Sequence, residues 1–166
     1  KLHAHEYRLV YRKLTNATNE RTLISTILPP NVFLGENLHY IRPINFDGEK
    51  YVPAISHMET LYLCGMFNSF PVDFVMRHRI STNINYFHMH GLPIPRFDKN
   101  NSLHQKIFKN SARLICTTNE FAVLRDKVDV HDFVIDPVKR MALEAQINAY
   151  SAKIYGLTRE ELEYVL

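Results

Sequence analysis

The chain has 166 residues, and 46% of them are hydrophobic, which is enough to bury a core and excludes an intrinsically disordered protein. No apolar run approaches the roughly 20 residues that cross a bilayer, and no apolar stretch typical of a secretory signal follows the N-terminus. The chain does not begin with Met, so we expect it to be a fragment of a longer protein. Its cysteines, Cys64 and Cys116, lie in apolar stretches, where we expect buried free thiols in a reducing cytoplasm.

The formal net charge of +3 is unevenly distributed along the chain. Residues 1–100 carry 11 basic and 8 acidic side chains, whereas residues 101–166 carry 9 of each. An excess of this size is smaller than is usual for a domain that binds nucleic acid. Its position predicts that any anionic partner contacts the first part of the chain.

The first part of the chain is predicted to form β-strands. Residues 7–12 alternate with a period of two, and a polar turn at residues 15–19 separates them from the β-branched stretch 21–28, so the two stretches should form a hairpin with a wide loop. Shorter strands are predicted at residues 32–35, 38–42 and 50–54, the last of them after an Asp-Gly turn.

Helices are predicted from residue 57 onward. Ser56 and Glu59 form a capping box, and Pro71 divides the apolar pattern of residues 57–80 into two helices or one kinked helix. A further strand is predicted at residues 84–89 and a linker at residues 98–102. Beyond the linker, the helical segments are predicted at residues 103–117, 119–128, 137–155 and 158–166.

These elements predict an α+β fold, in which a small, twisted, mainly antiparallel sheet is packed by a central helical segment. We divide the chain into an α+β region at residues 1–98 and a helical C-terminal region at residues 99–166. No internal repeat and no low-complexity tract is present.

The sequence lacks the common catalytic motifs. Its five glycines are scattered and form no phosphate-binding loop, and its cysteines do not have zinc spacing. His88 and His90 are two residues apart, so on a strand both rings would share one face, where they would either hold a metal or form a half-exposed polar surface. We favour the polar surface because no other ligands lie nearby, and we predict no catalytic, metal or cofactor residues. A metal-dependent nuclease that uses the two histidines is a third, weaker hypothesis.

Two groups of basic and amide side chains are the candidate DNA-binding residues. The first group follows the predicted hairpin and contains Arg8, Arg12, Lys13, Asn16, Asn19 and Arg21. The second group contains Arg77, Arg79, Asn83, Asn85, His88 and Arg96, and no acidic residue lies between Asp73 and Asp98. Arg pairs with guanine or phosphate and Asn with adenine, while interleaved Tyr and Phe suit contact with a base or sugar. The alternative is that both groups are ordinary solvated surface.

Several segments resemble one known family. They are residues 7–14 (YRLVYRKL), 18–30 (TNERTLISTILPP), 61–70 (LYLCGMFNSF), 79–95 (RISTNINYFHMHGLPIP) and 154–166 (IYGLTREELEYVL). The chain is similar in these segments to the target recognition domains of large adenine-specific DNA methyltransferases. These are the single-chain type II restriction–modification enzymes and their phage-defence relatives. The segments at residues 61–70 and 79–95 are the most specific.

The resemblance implies sequence-specific recognition of double-stranded DNA on behalf of an N6-adenine methyltransferase in the cytoplasm, with or without endonuclease activity. The partners would be DNA and the catalytic domain of the same parent chain, with no membrane. S-adenosylmethionine would bind in that catalytic domain and not in this fragment. The Pro-Pro pair at residues 29–30 departs from the family's adenine-binding Asn/Asp-Pro-Pro-Tyr/Phe motif, so we expect the fragment itself to be inert.

Two alternatives stay open. The first is that Asn83 and Asn85 match the family because the fold needs them, as turn residues that hydrogen-bond the backbone, and not because they read bases. Arg21 would likewise have a structural role in packing or ion pairing. The second alternative concerns the whole chain. It would be a protein-interaction or assembly module without direct DNA contact, in which the neutral helical region binds a partner.

Overall fold

The computed structural model describes residues 2–165. The first part of the chain forms a three-stranded antiparallel sheet. Strand β1 (Arg8–Arg12) lies between β2 (Ser25–Leu28) and β3 (Leu38–Tyr40). Leu9 lies opposite Ile27 on one side of β1, and Val10 lies opposite Tyr40 on the other. The hairpin with a wide loop is confirmed.

A second, two-stranded antiparallel sheet contains β4 (Ile44–Phe46) and β5 (Tyr51–Pro53). Its turn includes Gly48, whose φ of 106° belongs to the region that glycine adopts most readily. The strand predicted at residues 32–35 is wrong. Asn31, with φ of 66°, turns the chain out of the extended conformation directly before that segment.

The central helical segment consists of α1 (His57–Phe67) and α2 (Phe70–Arg77). Ser56 Oγ accepts a hydrogen bond from the backbone N–H of Glu59 at 3.2 Å, as the capping box predicts. Pro71 lies in the first turn of α2, where the missing N–H has no intrahelical partner to lose, so it starts a second helix and does not kink the first.

The strand predicted at residues 84–89 is wrong, because the chain forms the short helix α3 (Tyr86–His90) there. One isolated bridge pairs Leu14 with Asn83, and the backbone N–H of Asn85 then donates to Nδ1 of His88 at 3.1 Å. This local bond favours a helical turn over continued strand pairing. His88 and His90 therefore project about 200° apart around a helix and do not share a strand face.

The C-terminal region is helical, as predicted. It contains α4 (Ser102–Ile115), α5 (Ala122–Val128), α6 (Pro137–Ile154) and α7 (Arg159–Val165). Short 3-10 turns lie at His3–His5 and Asn119–Phe121. The predicted linker is a capped turn, since Asn101 Oδ1 accepts from the N–H of Leu103 at 2.9 Å and His104 Nδ1 accepts from that of Asp98 at 3.0 Å.

The hydrophobic core surrounds α1, which packs against β1 and β2 as well as α4, while α6 packs against α4. Leu61 of α1 and Ile107 of α4 are both fully buried in the same cluster. The residues on either side of the predicted boundary at 98/99 therefore contribute to one core. Cys64 and Cys116 are buried free thiols in it, and burial raises their pKa to about 12 and about 11.

No helix within residues 2–165 combines the length and the apolar character that crossing a membrane requires.

Candidate nucleic-acid interface

Arg8 is a buried residue of the sheet. Its side chain is 4% exposed, its Nη2 donates to the backbone carbonyl of Val32, and its guanidinium lies 5.8 Å from the centre of the Tyr40 ring. Burial lowers the pKa of this guanidinium. Val10, which lies on the same side of β1, is buried as well, so this side of the strand is not open to solvent at Arg8.

Arg12 and Asn19 hold the β1–β2 loop closed. Arg12 Nη2 donates to Thr15 Oγ1 at 3.0 Å and to the carbonyl of Arg21 at 3.2 Å. The carboxamide of Asn19 lies 3.3 Å from Thr15 Oγ1, and Thr15 donates to the carbonyl of Thr22 at 2.7 Å. Both predicted residues are therefore occupied by contacts that shape the loop.

Arg21 joins the same loop to the helices. Its Nη2 donates to the backbone carbonyl of Asn68, and its guanidinium lies 4.2 Å from the centre of the Phe70 ring. Burial lowers the pKa of Arg21 despite the opposing charge of Asp73. These contacts agree with the packing role that the sequence left open for Arg21.

Asp73 is a buried anchor for the loop that the sequence alone did not indicate. Its Oδ1 accepts from the backbone N–H groups of Thr22 and Leu23 at 2.9 and 2.6 Å. Its Oδ2 lies 3.2 Å from Nη2 of Arg77, which also donates to the carbonyl of Glu20 at 2.9 Å. The N–H groups of Thr22 and Leu23 are therefore paired with a side chain and not with β1, and β2 begins at Ser25 and not at residue 21. The Asp73 carboxylate also pairs with one predicted DNA-binding residue, Arg77.

The β1–β2 loop meets the segment before α3, so the structure brings members of both predicted groups together. The N–H of Thr15 donates to the carbonyl of Thr82 at 3.1 Å, and the N–H of Ile84 donates to that of Lys13 at 2.8 Å. Between these bonds lies the bridge from Leu14 to Asn83. The backbone of Lys13 and Leu14 therefore lies beside that of Asn83 and Ile84, although 70 positions separate Lys13 from Asn83 in the chain.

Asn16 is an exposed residue of the loop, and its Oδ1 accepts from the backbone N–H of Thr18 at 3.1 Å. Arg79 is also exposed, and its Nη1 donates to the carbonyl of Gly91, directly after α3. Within residues 2–165, exposed Arg96 makes neither a hydrogen bond nor an ion pair, and no contact links it to the other candidates. Asn85 and half-buried His88 are used mainly to start α3.

Aromatic side chains cover the surface between the two groups. His39 and Tyr86 are stacked, with ring centres 5.0 Å apart and an interplanar angle of 7°, and Tyr11 contacts His39 edge-on at 5.6 Å. Burial first, and the charge of Lys13 second, lowers the pKa of His39, which favours the neutral form of its ring. Tyr86 and its neighbour Phe87 remain 52% and 67% exposed.

We call this surface the α3 face, and define it by Lys13, Asn16, His39, Arg79, Asn83, Tyr86 and Phe87. Sequence reasoning missed its three aromatic members as individual residues, although the interleaving of Tyr and Phe with basic residues was a signal. A carboxylate, Glu36, lies 3.8 Å from Lys13 but is itself exposed, and residues 74–97 contain none. The α3 face therefore combines exposed positive charge, amides and aromatic rings.

Two open clefts lie elsewhere. One of about 570 Å³ is lined by β2, α1, α4 and α6, and another of about 580 Å³ lies beside the start of α1. Among the described residues, no group of three or more His, Cys, Asp or Glu side chains is arranged to hold a metal ion.

No family model matches the chain, and no curated protein or solved structure matches it.

Proposed function

We propose that the chain recognises double-stranded DNA in a sequence-specific manner, as the target recognition domain of an N6-adenine DNA methyltransferase. The observation that carries the proposal is the α3 face itself. Exposed Arg79 and partly exposed Lys13 lie there beside exposed Tyr86 and Phe87, in a region whose 74–97 segment is free of acidic residues. Positive charge next to polar and aromatic groups is the combination that DNA interfaces use.

The predicted DNA-binding residues would have different roles, according to how exposed their side chains are. Lys13 and Arg79 would contact phosphates and position the domain on the duplex, while Asn16 and Asn83 would reach base edges. The guanidinium groups of Arg8 and Arg21 are bound within the protein, so their contribution would be to hold the loop and the sheet in place.

The parent enzyme belongs to the same proposal. The resemblance at residues 61–70 and 79–95 supports a catalytic domain elsewhere in a cytoplasmic parent chain, with S-adenosylmethionine bound there. We assign no residue of this chain to that cofactor, because its five glycines form no nucleotide-binding loop.

A protein-interaction module is the second candidate, and one observation favours it. Ile135, Val138 and Met141, at the start of α6, are all more than two-thirds exposed. In the first proposal this apolar surface would contact the catalytic domain, whereas in the second it would be the main binding surface. Salt distinguishes the two candidates, because binding to phosphates weakens with ionic strength and apolar association does not.

The test is fluorescence anisotropy with labelled random-sequence duplex DNA, as salt is raised from about 50 to about 200 mM. The double variant Lys13→Gln/Arg79→Gln should bind about tenfold more weakly at low salt, with a salt slope reduced by about 2. The matched variant Lys50→Gln/Lys109→Gln removes the same charge from exposed positions on β4–β5 and α4 and should bind like the unchanged protein. Absence of binding at low salt, or equal losses in both variants, would contradict the proposal.

A further inference from the structure

We propose that Tyr86 and Phe87 form a stacking surface for an unpaired DNA base, so that the α3 face prefers DNA with an unstacked base over fully paired duplex. This inference rests on the proposed function, and it adds the structural class of DNA that the face selects. Its basis is the orientation and exposure of the two rings together with the charge around them.

Tyr86 is held in one orientation by its neighbours. Its ring stacks on His39 with an interplanar angle of 7°, and His39 is itself held by Tyr11, whose Oη lies 3.5 Å from His39 Nδ1. A parallel stack covers only one face of a ring, and 52% of Tyr86 remains exposed. Among the described residues, His39 is the ring that contacts Tyr86, so a third ring in the same stack would lie on the opposite face of Tyr86.

Phe87 extends this surface. Its side chain is 67% exposed, and its ring contact is with His88, at 4.0 Å between centres. The ring therefore contributes little to the hydrophobic core, in which α3 participates through buried Met89. A large apolar ring kept in water is typical of a contact surface.

The surroundings of the two rings favour a nucleic-acid base over another apolar ligand. Lys13 lies near His39, the ring on which Tyr86 stacks, since its backbone N–H donates to the carbonyl of Asn37 at 2.9 Å, and Arg79 is bonded to Gly91 just after α3. A base on the open face of Tyr86 would have its flanking phosphates near these cations. Every base has a π-face, so this contact does not require a particular sequence.

The β4–β5 hairpin offers a matched comparison. Phe46 and Tyr51 are exposed to a similar degree, 60% and 47%, and their ring centres lie 5.3 Å apart. Acidic Asp47 and Glu49 lie between them in the chain. Lys50 is the one cation between them, so this second Phe and Tyr pair has the same ring chemistry in surroundings that are net acidic.

The experiment compares two labelled duplexes of identical sequence, one fully paired and one with a single unpaired adenine, over the same salt series. The unchanged protein should bind the duplex with the unpaired base about tenfold more tightly. The variants Tyr86→Leu and Phe87→Leu should lose most of that preference and keep the salt slope, because neither removes a charge. The control Phe46→Leu/Tyr51→Leu should keep both the preference and the slope.

Thermal unfolding of each variant identifies any loss of structure. Because Phe87 is exposed and does not stack on His39, Phe87→Leu tests the proposal without disturbing the stack of His39 and Tyr86. Equal, salt-dependent binding of both duplexes by the unchanged protein would overturn the stacking proposal and leave DNA binding intact. A preference that survives in both α3 variants would overturn it as well. Absence of salt-dependent binding to either duplex would instead overturn the proposed function.

Discussion

Charged side chains near the loop act mainly on the backbone. Asp73 accepts two backbone N–H groups of the β1–β2 loop, while Arg12, Arg21 and Arg77 each donate to a backbone carbonyl. A buried ionised group is retained when it satisfies polar groups that would otherwise lack partners. The loop that presents Lys13 to solvent is therefore stabilised by charges beneath it.

Substitution at Asp73 tests this anchoring. Asp73→Ala should lower the free energy of unfolding by about 3 kcal/mol, because it leaves two buried N–H groups without an acceptor and Arg77 without its carboxylate. Asp73→Asn should cost less, since its remaining oxygen still accepts from Thr22 and Leu23. Urea unfolding measures both values.

Asp132 supplies the control for this measurement. Its carboxylate lies 2.6 Å from Arg113 Nη2, but its side chain is exposed, so Asp132→Ala should cost less than about 1 kcal/mol. A similar cost at Asp73 and Asp132 would contradict the anchoring role.

At the scale of elements, the close contact of α1 and α4 depends on a small residue. A Cβ added to Gly65 would lie 2.7 Å from Cγ2 of Ile107 and would also collide with Oγ of Ser111. Both neighbours are buried, so neither can move aside without disturbing the core. Gly65 thus determines how closely the helical region approaches the helix that supports the sheet.

Gly65→Ala should lower the free energy of unfolding by about 1–3 kcal/mol through overpacking. The direction of this change in unfolding free energy is informative, because Ala is favoured over Gly by about 1 kcal/mol in a helix that has room for the methyl group. Gly35→Ala is the control, because a Cβ added to Gly35 has no atom within 4 Å and its φ is not positive. Its free energy of unfolding should lie within about 0.5 kcal/mol of that of the unchanged protein. Stabilisation by Gly65→Ala in urea unfolding would contradict the close packing.

At the scale of the whole molecule, the α+β and helical regions depend on each other. The cluster around α1 includes Leu61 and Cys64 from the first region with Ile107, Phe108 and Leu124 from the second. Removal of the second region would expose these α1 residues to water, and the loss of apolar burial would leave the small sheets without sufficient support.

The fragment of residues 1–98 should therefore fail to fold, whereas the full chain should unfold in one cooperative transition. Circular dichroism during heating measures both, and dispersion of amide signals in NMR spectra of the fragment is an independent check. A cooperative transition in the isolated fragment would show that the two regions are separable.

Local patterns in the sequence were sufficient for much of the fold. The alternation of residues 7–12, the capping boxes at Ser56 and Thr158, and Pro71 each act within a few residues, so the elements that they predict are present. Helix α3 was not predictable in this way. Its alternating apolar and polar residues fit a strand, and only the bond from Asn85 to His88 and the lack of further pairing beyond Asn83 favour a helix.

The sequence by itself determined the α+β class, most element positions and the types of side chain available to a binding surface, because these depend on composition and short-range periodicity. Only the tertiary structure decided which of the basic residues are exposed. Arg8 and Arg79 each donate to a backbone carbonyl, but Arg8 is buried in the sheet, while Arg79 remains exposed beside α3. Exposure depends on contacts between residues far apart in the chain, such as Lys13 with Ile84 and His39 with Tyr86, which no local pattern specifies.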